Sequence, residues 1–168
     1  MTRENKTDEI TKYIYIRHKD DEKVWQLTNG GAAHSALLRD SIINNPNVDS
    51  YGILEKNPMI VDAIKLHTIP FIVSYMNFYD CQPEPNPPET PLKNIHPSVI
   101  FGDAYELFIN IYDSGDTSIS KILKLNDTIQ SALYFNITHL PKKLCAIIAH
   151  IIKDLSLDEV KKISDTLL

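Results

Sequence analysis

Alternation of apolar and polar positions is clearest near the start of the chain. Tyr13-Ile14-Tyr15-Ile16-Arg17 is rich in β-branched and aromatic residues, and Lys23-Val24-Trp25-Gln26-Leu27 alternates polar with apolar. The polar stretch His18-Lys19-Asp20-Asp21-Glu22 lies between them, so the pattern predicts a β-hairpin. Asn29-Gly30-Gly31 then breaks the strand as a turn, and Ala33, Ala36, Leu37 and Ser41 recur at helical spacing, which predicts a helix from Ala32 to Ile43. Asn44 to Asn57 is rich in turn formers and reads as a loop. A third strand is expected at Ala63-Ile64-Lys65-Leu66-His67. Ile69 to Tyr79 follows with Phe71, Ile72, Tyr75, Met76 and Phe78 on a helical face, which Pro70 starts at its first turn.

Between Cys81 and Pro97 lie Pro83, Pro85, Pro87, Pro88, Pro91 and Pro97, six of the ten prolines in the chain. Neither a helix nor a central strand can run through such a segment, and it reads as an extended, solvated loop carrying Glu84 and Glu89. Beyond it the periodicity becomes helical. Asp103 to Tyr112 predicts one helix, Asp113-Ser114-Gly115-Asp116 a turn, and Ile119, Ile122, Leu123, Ile129, Ala132 and Leu133 one or two more helices. The longest stripe is Leu140, Leu144, Ile147, Ile148, Ile151 and Leu155. Thr138 is placed to cap that helix and Pro141 fits its first turn. Ser156-Leu157-Asp158-Glu159 is a capping-box pattern ahead of Val160 and Ile163, so a last helix starts there.

Composition narrows the class. At 168 residues, 43% apolar and 23% charged, the chain fits one globular domain that can bury roughly two-thirds of its unfolded surface. Met1 to Ile10 lacks the apolar run of a secretory signal or membrane span, so the protein is expected to be intracellular, cytoplasmic or nuclear, and not secreted. Sequons at Asn5, Asn126 and Asn136 are then expected to go unused. With a net charge of −5 and no block of basic residues, nucleic acid is a poor partner.

Candidate chemistry is thin. Cys81 and Cys145 form no CxxC pair, and Cys145, between Leu144 and Ala146, reads as a small buried apolar residue. His18, His34, His67, His96, His139 and His150 show no ligand spacing, so no metal is expected. Gly30-Gly31 precedes a helix, but no GxGxxG or Walker lysine accompanies it, and no cofactor is expected. Asp20-Asp21-Glu22 and Asp113 with Asp116 lack EF-hand spacing. No nucleophile and base are paired by motif, which points to a binding protein and not an enzyme. The C-terminal stripe read alone is ordinary core. Its excess is informative: Ile147, Ile148, Ile151 and Ile152 spread apolar surface beyond one seam, enough for a second face that a partner helix would cover.

The order of elements, with a proline-rich insert in the middle, resembles the Skp adaptors of cullin-based ubiquitin ligases. The likeness is strongest in Ser131-Ala132-Leu133-Tyr134-Phe135-Asn136-Ile137, then Leu140, Cys145, Ile148-Ala149, Ile152-Lys153 and Ser156-Leu157-Asp158-Glu159-Val160-Lys161. These match the family's small-residue pair, its Asn-Tyr-Leu-Asp-Ile run, a helix with Cys, Val-Ala and Ile-Lys, and a Thr-Pro-Glu-Glu-Ile-Arg-type helix start. Looser matches at Tyr15 to Leu27, Ser35 to Leu38 and Ile69 to Tyr79 extend the resemblance over most of the chain after Lys12.

The resemblance implies an α+β fold: a BTB/POZ-type core with a small three-stranded sheet, extended by C-terminal helices. Residues 1–12 would be a tail, 13–137 the core with its proline-rich loop at 80–97, and 138–168 the helical extension. It implies a non-catalytic adaptor that joins a cullin N-terminal domain to an F-box protein. Leu133, in place of the family's asparagine, and Tyr134 would face the cullin. Leu140, Ile148, Ile151, Ile152, Val160 and Ile163 would face the F-box. Family members continue beyond the position of Leu168 into further helices, so an abbreviated F-box grip is expected. The alternative is a stand-alone BTB/POZ oligomerisation module, which would form a homodimer and bind neither ligase component.

Overall fold

The computed structural model describes residues 13–44, 57–88, 96–112 and 116–167. The expected N-terminal tail, most of the loop expected over Asn44 to Asn57, most of the turn at 113–116 and the second half of the proline-rich loop lie outside them.

The expected hairpin forms as β1 (Tyr13–His18) and β2 (Val24–Thr28), antiparallel with Tyr13 opposite Thr28 and Arg17 opposite Val24. Alternation sets its faces: Ile14, Ile16 and His18 are buried while Tyr13, Tyr15 and Arg17 stay partly exposed. β3, however, is Met59–Val61 and pairs parallel with β1, from Ile16 opposite Met59 to His18 opposite Val61. The sheet order is β2-β1-β3. A parallel neighbour requires a crossover, and the described part of this one holds β2 and two helices.

The strand expected at Ala63–His67 is therefore displaced. There the chain bends and closes a 3₁₀ turn at Leu66–Thr68, because its carbonyls are taken by side chains. His18 Nε2 bonds the Ile64 carbonyl at 3.0 Å, and Thr68 Oγ1 donates to the Lys65 carbonyl at 2.7 Å. Apolar alternation at Ile64 and Leu66 mimicked a strand that these bonds preclude.

Gly30-Gly31 is not a turn but the middle of a short helix, α1 (Asn29–Ala32). Thr28 caps it: its Oγ1 accepts the Gly31 N–H at 2.9 Å and donates to Asp80 Oδ1 at 2.8 Å. A Cβ at position 30 would lie 2.1 Å from Asp80 Oδ1 and 2.5 Å from the Cys81 nitrogen, so glycine is required by close approach of two backbones. The single helix expected over Ala32–Ile43 is split, and its second part is α2 (Ala36–Asn44). Ser35 makes the break by forming an isolated bridge with Ile137 and capping Leu38 N–H with its hydroxyl at 3.1 Å.

α3 (Ile69–Phe78) carries Pro70 in its first turn as expected and buries Ile69, Phe71, Ile72, Val73, Tyr75 and Met76, so it is the central helix. α4 (Pro97–Phe101) was not expected. Its proline falls in the first turn, where a missing N–H removes no helical bond, and His96 Nδ1 accepts the Ser98 N–H at 3.3 Å. A 3₁₀ turn at Gly102–Ala104 follows, with Gly102 at φ +54°, and leads into α5 (Tyr105–Tyr112).

One helix, α6 (Ser118–Tyr134), covers the stretch expected to hold one or two. It ends in a Schellman motif: Ile137 N–H donates to the Ala132 carbonyl at 3.0 Å and Asn136 N–H to the Leu133 carbonyl at 2.9 Å, with Asn136 at φ +52°. α7 (Leu140–Ile152) follows directly. Its cap position is His139, not Thr138, and no side chain of its own turn caps it. α8 (Leu157–Leu167) begins with the expected reciprocal box: Ser156 N–H donates to Glu159 Oε2 at 2.9 Å and Glu159 N–H to Ser156 Oγ at 3.4 Å.

The architecture is α+β. Among the described residues the main apolar cluster runs from Ile14 and Ile16 of the sheet through α3 to Phe101, Phe135, Leu140, Leu144 and Ile147. Helix α7 thus shares the core of the sheet. Among the described residues no helix is long and apolar enough to cross a membrane.

Candidate partner-binding surface

Helix α7 is apolar on more than one side. Its inward side carries Leu140, Lys143, Leu144, Ala146 and Ile147, all buried. Ile148, Ile151 and Ile152 flank this side and are only partly buried. On α8, Val160 is partly buried and Leu157 is 83% exposed. Four residues expected to face a receptor, Ile148, Ile151, Ile152 and Val160, therefore retain accessible apolar surface.

Two do not. Leu140 is fully buried, because it follows the Schellman turn that drives Phe135 and Ile137 into the core. Ile163 is 4% exposed, on the helix that packs back on α6. Neither side chain is available to a partner. Cys145, expected to be buried, is exposed on α7. It lies one residue from Leu144 and so on a different side of the helix.

Ile151 also lines an apolar groove of about 150 Å³ with Tyr105, Phe108, Leu125 and Ile147. The two residues expected to face a cullin lie at the end of α6. Leu133 is 55% exposed and Tyr134 is half-buried against Phe135, ring centroids 5.3 Å apart. Burial, with the Asp62 carboxylate adding to it, raises the Tyr134 phenol above its ordinary pKa. The segment before α3 packs on this helix through Thr68 Oγ1 and Ser131 Oγ, 2.7 Å apart, and through His67 Nε2 and Asp127 Oδ2 at 3.4 Å. Ile60 on β3 and Leu66 in that segment are exposed apolar residues.

Two of the histidines are held by buried or part-buried hydrogen bonds. His18 is buried between the Ile64 carbonyl and the Asp20 N–H, and His34 Nε2 bonds the Tyr79 carbonyl at 2.7 Å. Among the described residues no group of three His, Cys, Asp or Glu side chains is placed to hold a metal ion.

Beneath α7 lies a buried polar network that sequence reasoning missed. Tyr75 Oη donates to Glu84 Oε1 at 2.6 Å, and Lys143 Nζ donates to Tyr75 Oη at 3.0 Å. Lys143 Nζ and Glu84 Oε1 are 3.6 Å apart, with side-chain exposures of 0% and 6%. Glu84 Oε2 accepts the His139 N–H at 3.3 Å, supplying the α7 N-terminus with the acceptor its own turn lacks. Burial lowers the Lys143 pKa, and the Glu84 charge partly offsets this. Burial, then the same carboxylate, raises the Tyr75 phenol far above the ordinary range. The one sequence signal was the position of Lys143, three residues from Leu140 and one before Leu144 on the inward stripe. Nothing marked Glu84 as its partner.

Comparison with known proteins supplies no family, since no protein-family description matches the chain and no curated protein is similar enough to count as a relative.

Proposed function

We propose that this chain is a non-catalytic, Skp-like adaptor that joins a cullin scaffold to an F-box-type substrate receptor in the cytoplasm or nucleus. The observation that carries it is the uncovered apolar surface of Ile148, Ile151 and Ile152 on α7, continued by Val160 and Leu157 on α8. Burying such a surface under an amphipathic helix is the mode of recognition it suits. Leu133 and Tyr134 form the cullin-facing end, about a helix length from the receptor face in sequence. The three-stranded sheet, its crossover helices and the run from Ser131 to Lys161 support the family resemblance.

Size-exclusion chromatography at micromolar concentration tests this with an F-box fragment and, separately, a cullin N-terminal domain. Each is expected to co-elute with the chain. Absence of both complexes contradicts the adaptor role. The exposed side chains of Leu133, Ile60 and Leu66 favour a second use, self-association as a BTB-type module. Light scattering that finds a stable homodimer without affinity for either ligase component would select it.

A further inference from the structure

Residues 82–88 of the proline-rich segment are exposed or half-exposed along most of their length: Gln82, Pro83, Pro85 and Asn86 all face solvent. One side chain is the exception. The Glu84 carboxyl reaches inward to 6% exposure and meets α3 through Tyr75 and α7 through Lys143 and the His139 N–H. We infer that this segment is a strap, buckled by Glu84, whose docking seats the first turns of α7 on the core.

The energetics make the two events one. Lys143 Nζ is fully buried, and among the described residues Glu84 is the carboxylate that faces it; the rings of Tyr75 and Tyr79, 5.6 and 5.5 Å from Nζ, supply weaker cation–π attraction. If the strap lifts, a desolvated cation loses its counter-charge and the α7 N-terminus loses an acceptor. Both defects fall on the first turn of α7. Removing one partner of a buried ion pair is strongly destabilising, whereas the pair itself contributes modestly, which is the energetic form of a latch. The strap is also open to approach from both sides. It walls a cleft of about 300 Å³ shared with Arg39 and Thr138, and another of about 570 Å³ shared with Phe78 and Val99. The inference does not depend on which partner α7 serves.

NMR amide exchange and ¹⁵N order parameters on the full chain test it. Glu84→Gln is expected to speed exchange in α7 between Leu144 and Ile148 at least about tenfold more than in β1, and to drop the order parameters of residues 84 and 86 below about 0.6. Coupling is reciprocal, so Lys143→Met, which leaves the strap sequence intact, is expected to lower the same two order parameters. Equal acceleration in α7 and β1 would mean a global loss of stability and overturn the strap, as would an ordered strap in Lys143→Met. Should Glu84→Gln yield no folded protein, the Lys143→Met measurement decides alone.

Discussion

Ser35 Oγ donates to the Phe135 carbonyl at 2.6 Å, joining residues a hundred positions apart in the chain. The same hydroxyl accepts the Leu38 N–H at 3.1 Å, and Ala36 N–H reaches the Asn136 carbonyl at 3.4 Å. One small side chain therefore starts α2 and pins the junction from which α7 departs. Both of its bonds are buried, so Ser35→Ala is expected to cost about 1–3 kcal/mol in urea denaturation, with the slope unchanged. A loss under about 0.5 kcal/mol would mean that water or local relaxation replaces the hydroxyl.

Gly30→Ala places a methyl group where Asp80 and the backbone of Cys81 already sit. Since Asp80 also accepts the Thr28 hydroxyl, moving it aside breaks the α1 cap. A destabilisation of about 2 kcal/mol or more is expected by thermal and urea melts. Gly102→Ala meets nothing within 4 Å, and its cost arises from φ +54° alone.

The α8 capping box titrates. Bonds from the Ser156 hydroxyl and N–H hold the Glu159 carboxyl below its ordinary value of 4.5. A depressed folded pKa contributes stability that is present above the unfolded value and lost as pH falls through the folded one. Fraying of α8 is therefore expected to grow below the ordinary carboxylate range, as lost NMR helical shifts over Glu159 to Lys162. In Ser156→Ala these residues are expected to be frayed already at neutral pH, with little further change in acid.

Tyr75 is expected to contribute most to the alkaline limit, alongside Tyr79 and Tyr134, whose phenols burial also raises. Its raised folded pKa contributes stability that is complete below its ordinary value of 10 and lost as pH climbs past it. Lys143, with a lowered folded pKa, acts in the opposite sense just below its ordinary 10.5, but the Tyr75 shift is much the larger in cause, combining burial with an adjacent carboxylate. Wild type is expected to lose stability between about pH 8 and about pH 11 in urea melts, and Tyr75→Phe to lose less over the same interval. An equal loss in both would place the alkaline transition on other groups.

Legibility in the sequence followed the reach of the interaction. The hairpin, α3 and α7 rest on local periodicity, and α8 on a local cap as well, so Ile14 and Ile16, Phe71 and Tyr75, Leu144 and Ile147, and the Ser156/Glu159 box all declared themselves. The misplaced third strand, the helix at Gly30-Gly31 and the break at Ser35 depend on contacts with distant segments: Ile64 with His18, Gly30 with Asp80, Ser35 with Phe135. Periodicity cannot register these. The same limit governs the candidate partner surface. A stripe of isoleucines announces that apolar area exceeds one seam, but only packing assigns Leu140 and Ile163 to the interior while Ile148 and Ile152 keep access. Glu84, hidden in a segment whose composition reads as solvated, shows the strongest form of this limit.

The most direct test of the adaptor account is a calorimetric titration of an F-box fragment into wild type and an Ile148→Asp/Ile152→Asp double variant, with circular dichroism checking the fold of each. Wild type is expected to bind, and two charges placed in a face desolvated by the partner should weaken binding by about 3 kcal/mol or more, roughly a hundredfold. A folded double variant that binds the fragment as tightly as wild type would contradict the assignment of α7 as the receptor face.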